Sequence, residues 1–210
     1  MSLVLGPLLR HVDQSSALIW VQTDQPATVS VLGHRAQTFE VQGHHYALIK
    51  VSGLEPDSCT PYQVELDGQR VWPPDHSFPP SVIRTRGPES AHRARLVFGS
   101  CRYPMTGEPA LDDKIGHDAM NSYAERMATL PTDRWPNALI LLGDQVYADE
   151  LTPRVRRSVA ARRLGRIDTG KRPPGEVVSF DEYEQLYRAA WARPAVRWLM
   201  STVPTAMIFD

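Results

Sequence analysis

Cysteine is nearly absent from this chain: Cys59 and Cys101 are the only two in 210 residues, too few for the disulfide framework of a small secreted domain. Neither charge sign predominates. Lysine and arginine number 23 against 24 aspartates and glutamates, so no overall field favours nucleic acid or an anionic membrane as a stable partner. No apolar run approaches the roughly 20 residues of a membrane-spanning helix. The start, Met1 to Pro7, lacks the basic head and long apolar core of a signal peptide, which makes a cytoplasmic location the default expectation. Histidine also stops early, with none after His117.

What is present is a hydrophobic content of 42 %, enough for one large domain or two modest ones, each with a buried core. Residues 1–86 carry short β-rich runs separated by turn residues: Ala17 to Val21, Ala27 to Leu32, Gln37 to Val41, Tyr46 to Val51, Tyr62 to Leu66 and Ser81 to Thr85. With Asp67-Gly68 as a hairpin turn, this rhythm predicts an all-β sandwich of about seven strands. Trp20 is expected in its core, and His44-His45 at a surface turn. The segment Leu54-Glu55-Pro56 to Tyr62 resembles a fibronectin type III link, in which the tyrosine hydroxyl bonds back to the preceding turn. The proline-rich stretch Val71 to Pro80 reads as a stiff loop. Residues 87–93 are polar and break the pattern, as a linker would.

From residue 94 to 210 the rhythm becomes strand, helix, strand. The apolar run Ala138 to Leu142 reads as a buried strand that halts at Gly143, followed by Asp144, Tyr147, Asp149 and Glu150. In an open α/β sheet that is the end at which ligands are presented. Two further runs have the same form: Arg95 to Gly99, followed by Ser100-Cys101, and Thr205 to Phe209, followed by Asp210. Between them, Met120, Tyr123, Ala124 and Met127 predict an amphipathic helix capped by Asp118. A loop is expected from Arg102 to Gly116. Thr152-Pro153 opens a second helix, which carries the chain's one basic cluster, including Arg154, Arg156, Arg157, Arg162, Arg163 and Arg166. Such a cluster either steers an anionic substrate or forms a solvated face. Ser179 to Glu182 has the form of a capping box, and Pro194 starts a last short helix.

Val97-Phe98-Gly99-Ser100-Cys101-Arg102, Leu141-Leu142-Gly143-Asp144-Gln145-Val146-Tyr147 and Met207-Ile208-Phe209-Asp210 together resemble the PhoD-like branch (alkaline phosphatase D) of the calcineurin-like metallophosphoesterases. The resemblance implies an immunoglobulin-like or fibronectin-like β-sandwich followed by the first part of an α/β metallophosphatase domain. It also implies hydrolysis of phosphoesters on a centre containing Fe3+ and Ca2+, other divalent metals being an alternative. Cys101 and Tyr147 would be iron ligands and Asp144 the bridging carboxylate. Asp210 falls at the start of the third motif, where either it or the next aspartate serves as a ligand. Arg102 is a candidate phosphate contact. Asp149 and Glu150 stay open between supporting and solvent-facing roles.

The family's later histidine ligands have no counterpart here. The resemblance therefore implies a fragment of a longer hydrolase, whose half-sheet leaves a face and an edge uncovered unless the rest of the domain supplies the cover. The competing expectation is a non-catalytic β-sandwich binding module with a truncated phosphatase appendage.

Overall fold

The computed structural model describes residues 1–75, 77–87, 94–104, 109–163 and 175–208. Its first half is antiparallel. Strands β1 (Leu3–Val12), β2 (Ser16–Thr23), β5 (Phe39–Val41) and β6 (His44–Ser52) form one sheet in the order β1-β2-β6-β5. A second sheet, in the order β4-β3-β8-β9, is built from β3 (Thr28–Val31), β4 (His34–Gln37), β8 (Val64–Leu66) and β9 (Gln69–Trp72). β7 (Cys59–Pro61) pairs with β10 (Val82–Arg84) as a short ribbon.

Alternation sets the core. In β6, Ala47, Ile49 and Val51 are buried while Leu48, Lys50 and Ser52 face out. The inward residues meet Ile19, Val21, Val29, Val64, Leu66 and Trp72 in one cluster. Burying each such aliphatic side chain contributes about 1.5–3 kcal/mol. Asp67-Gly68 does close a hairpin, with φ of 46° and 83°, the two positive values that a type I′ turn needs.

β1 and β9 lie outside the runs picked from the sequence. β1 reads as an almost continuous apolar run broken by Gly6-Pro7, because it is covered on both sides. Leu9 and Val12 join the core just described, while Leu5 and Leu8 point the other way into a second cluster. Gly6 (φ +90°) sits where the β1–β2 register shifts, and a Cβ there would lie 2.8 Å from the Trp20 carbonyl oxygen.

Three expectations are corrected along this face. Trp20 packs with the second cluster rather than between the two antiparallel sheets. Tyr62 does not bond to its preceding turn; its buried hydroxyl donates to the Ser201 carbonyl at 2.7 Å, in a later helix. His44 lies in strand β6, not in a turn, and its Nε2 is 3.0 Å from Asp181 Oδ1.

The second cluster belongs mostly to the later residues. Three parallel strands, β11 (Leu96–Gly99), β12 (Ala138–Leu141) and β13 (Thr205–Met207), form a sheet in that order. Helices α2 (Ala119–Ala128), α4 (Phe180–Trp191) and α5 (Pro194–Thr202) supply Met127, Leu186, Trp198 and Leu199 to this core. α5 lies against β1 through Arg197, whose guanidinium donates to the Gly6 carbonyl and stacks 5.0 Å above the Trp72 ring. Ser81 Oγ lies 2.6 Å from Ser201 Oγ. These buried polar contacts fix how the helices meet the antiparallel sheets.

The expected loop from Arg102 to Gly116 contains a short helix instead, α1 (Pro109–Ile115). None of its residues is buried, so it lacks the apolar stripe that reveals a helix in sequence. α3 (Pro153–Arg163) begins at Thr152-Pro153 as expected. The capping box at α4 is half formed. Glu182 accepts from the Val178 and Ser179 amides, whereas the Ser179 hydroxyl makes no cap bond. The Glu182 carboxylate also takes two bonds from Arg163, at 2.7 and 2.9 Å, and its pKa falls to about 2, chiefly through that guanidinium. This pair ties α3 to α4.

The far face of the parallel sheet is apolar and open. Leu96, Phe98, Leu142 and Ile208 are 53 %, 72 %, 54 % and 48 % exposed, while Leu139 and Leu141 on the other face are buried. Among the described residues no helix is long and apolar enough to cross a membrane.

Candidate functional site

Register brings the strand tips together. Gly99 pairs with Leu141, and Leu141 with Met207, so the three parallel strands end at one level. The chain leaving β11 and the chain leaving β12 then stay joined, because Leu142 donates to the Gly99 carbonyl at 2.8 Å and Arg102 donates to the Asp144 carbonyl at 2.7 Å. Gly143 is required at this crossing. A Cβ on it would lie 2.6 Å from the Cys101 amide nitrogen and 2.8 Å from both Cys101 Sγ and Ser100 Oγ.

Cys101, Asp144 and Tyr147 are therefore neighbours. The Cys101 sulfur accepts from the Asp144 main-chain N–H, from the Ser100 hydroxyl and from the Tyr147 hydroxyl. These donors favour the thiolate and lower the thiol's pKa, the Asp144 amide most strongly. Desolvation and the Asp144 charge oppose them. Cys59 is shifted in the opposite direction, raised by burial. We expect Cys101 to be alkylated by iodoacetamide at a lower pH midpoint than Cys59 in chelator-treated protein, and Tyr147→Phe to raise the Cys101 midpoint. Peptide mapping against pH reads both, and coincident midpoints would contradict this account of the thiol.

Gln145 is a buried position at the loop crossing that the sequence motifs do not single out. It is 2 % exposed, and its Nε2 donates to the Gly143 carbonyl at 2.9 Å while lying 3.4 Å from the Ser100 carbonyl. It clips the Ser100–Cys101 loop to the Gly143–Asp144 loop. Its position between Asp144 and Tyr147 was the available signal. His117 was also passed over, and it borders a hollow of about 490 Å³ shared with Cys101 and Gln145.

Arg102 is not placed to meet a phosphate. It is 7 % exposed, and its Nε and Nη2 donate to Asp118 at 3.0 and 2.6 Å, while Nη1 donates to the Ala190 carbonyl at 2.9 Å. Asp118 caps α2 as expected, through the Met120 and Asn121 amides. The Arg102 guanidinium is thus turned inward, joining the Cys101 loop to α2 and α4.

Asp144, Tyr147, Asp149 and Tyr183 line a small hollow of about 180 Å³. Val146 and Tyr147 also border a larger cleft of about 590 Å³, which reaches Glu150, Arg154, Gln185, Arg188 and Arg193. Among the described arginines of the basic cluster, only Arg154 lines this cleft and Arg163 is held by Glu182; Arg166 lies outside the described residues. Asp210 lies outside them too, as does most of the expected linker. Among the described residues no group of three or more His, Cys, Asp or Glu side chains is close enough to hold a metal ion. Cys101 and Asp144 provide two such residues, and the third donor beside them is the Tyr147 phenol.

The architecture is mixed α/β, with several antiparallel sheets beside a short parallel one. Residues 1–83 match a family described as a domain of unknown function, DUF7800. No curated protein sequence matches the chain. Among solved structures the fold is similar to one titled "Structure of PhoD", with a TM-score of 0.62 and 13 % identity, the alignment covering all of this chain and 39 % of that one. The chain thus spans about two fifths of the length of that protein. At this identity the likeness is one of fold.

Proposed function

We propose that the chain carries the first strand tips of a metal-dependent phosphoester hydrolase. The observation that carries this reading is the convergence of the Cys101 thiol, the Asp144 carboxylate and the Tyr147 phenol at the ends of parallel strands. A thiolate beside a phenolate suits a redox-capable, strongly Lewis-acidic ion better than magnesium. Cys101 and Tyr147 would hold Fe3+, with Asp144 shared towards Ca2+ or another divalent ion. Asp210 is a further candidate ligand. Such ions neutralise phosphoryl oxygens and lower the pKa of water. The chain's own contribution is to favour the thiolate, through the Asp144 amide, and to fix the loops through Gln145 and Arg102.

In the same proposal, residues 1–86 form a fibronectin-like β-sandwich and residues 94–210 the opening part of the phosphatase domain. The match to residues 1–83 and the single core shared by the two four-stranded sheets support that division. Further polypeptide covering Phe98 and Leu142 would complete both sheet and metal shell, and the open apolar face supports this. The scarcity of metal-ligating groups among the described residues favours a second reading, a binding module without catalysis.

Iron loading separates the two. The purified protein is expected to retain Fe3+ and show a tyrosinate-to-iron charge-transfer band, lost in Tyr147→Phe, with hydrolysis of phosphomonoester or phosphodiester probes falling in parallel. An absent band, or one untouched by the substitution, would favour the module.

A further inference from the structure

The cleft beside Tyr147 has a composition that the metal site does not account for. Three arginines reach it from three elements: Arg154 from the first turn of α3, Arg188 from the last turn of α4, and Arg193 from the start of α5. They are far apart in sequence, so this is not one basic run on one helix face. Glu150 is the single acid among the lining residues. The Arg154 and Arg193 side chains have no partner among the described residues, and Arg188 has only Glu184, at 4.0 Å. Other arginines nearby are already engaged, Arg102 by Asp118 and Arg163 by Glu182.

A second observation points to a ligand. Gln185 lines the same cleft at 8 % exposure, and its buried Oε1 has no hydrogen-bond partner. Leaving a buried acceptor unpaired costs about 1–3 kcal/mol, so a position of this kind calls for a donor from outside the chain.

We infer that this cleft is a subsite for a second phosphoryl group, remote from the one at the strand tips. Val146 and Tyr147 line both the cleft and the hollow containing Asp144, so one ligand can extend from one to the other. Arginine forks suit phosphate oxygens, and a shift of the Gln185 side chain that brings its buried Oε1 to the cleft surface would let it accept from a hydroxyl or amino group on the connecting portion. The substrate class is a small phosphoester that carries an additional phosphoryl group. This deepens the phosphoesterase reading and rests on it for the identity of the first group, while the arginine subsite itself needs no metal.

The test uses chelator-treated protein and isothermal titration with pyrophosphate, which brings two phosphoryl groups. Binding is expected, weakening as sodium chloride is raised. R154Q/R193Q should lose about tenfold or more in affinity, since each removed guanidinium takes away charge-assisted bonds. R126Q/R162Q removes two exposed arginines outside the cleft and should stay within about twofold, the range expected of distant screened charges. The exposed single change R154Q carries the same test if the double variant is unstable. No binding, equal affinity in R154Q/R193Q, or an equal loss in R126Q/R162Q would overturn the subsite. With metal removed throughout, failure of the iron site leaves this outcome unaffected, and failure here leaves the charge-transfer experiment standing.

Discussion

Asp118→Ala is expected to lower the free energy of unfolding by about 3–5 kcal/mol, the range seen when one partner of a buried ion pair is removed. Asp118 is 3 % exposed and accepts two bonds from Arg102, itself 7 % exposed. Truncation leaves the guanidinium buried with the Ala190 carbonyl as its remaining acceptor. It also removes the α2 cap at Met120 and Asn121, worth about 1 kcal/mol within that total. For a chain of this size the melting temperature should fall by about 10 °C. Asp118→Asn keeps the Oδ1 acceptor of the cap and of Arg102 Nε but loses the charge and the Oδ2 acceptor of Arg102 Nη2, so its effect should be smaller than that of alanine. Urea denaturation of the three proteins checks the order, and a loss below about 1 kcal/mol for the alanine variant would show that Arg102 finds another acceptor. Arg102 also follows Cys101 directly and ties to Asp144 through its amide. The same substitution should therefore loosen the thiol's surroundings and raise the alkylation midpoint of Cys101.

The strand tips were legible because a short apolar run broken by a small residue marks the end of a strand. Ala138 to Leu142 and Leu96 to Gly99 are short apolar runs followed by small residues, which marks them as strands, but the expected buried strand over Ala138 to Leu142 is buried only at Leu139 and Leu141, with Leu142 54 % exposed, because one face of the parallel sheet is uncovered. β2 and β6 were visible through their alternation. β1 was hidden because both of its faces are covered and a glycine-proline bulge interrupts it. α1 was hidden for the opposite reason, having no buried face at all. Long-range polar contacts left no local trace. Nothing near Tyr62 announces Ser201, 139 residues away, and nothing beside Arg102 shows that Asp118 will claim its guanidinium. An arginine next to a ligand loop looks the same in sequence whether it faces substrate or core.

Gly143→Ala should separate the Cys101 and Asp144 loops while leaving the rest of the fold in place. The added methyl would sit 2.6 Å from the Cys101 amide nitrogen, inside any tolerable contact, and that nitrogen is main chain, not the end of a flexible side chain. Relief requires the Cys101 loop to move away from Asp144. That movement opposes the Arg102 N–H bond to the Asp144 carbonyl and the Gln145 clip to Gly143. Overpacking of this kind costs about 1–3 kcal/mol. The larger effect should be chemical. With the Asp144 amide withdrawn from the sulfur, the strongest influence lowering the Cys101 pKa is lost, and its alkylation midpoint should move up towards that of an ordinary thiol. Under the proposed function, iron retention and its charge-transfer band should disappear together. Gly99→Ala is the matched control. A Cβ there meets nothing within 4 Å, so stability should change by about 0.5 kcal/mol or less, and the thiol midpoint should stay where it is. If Gly143→Ala instead behaves like Gly99→Ala in both stability and thiol reactivity, the loops are not in the contact that places Cys101, Asp144 and Tyr147 around a common centre.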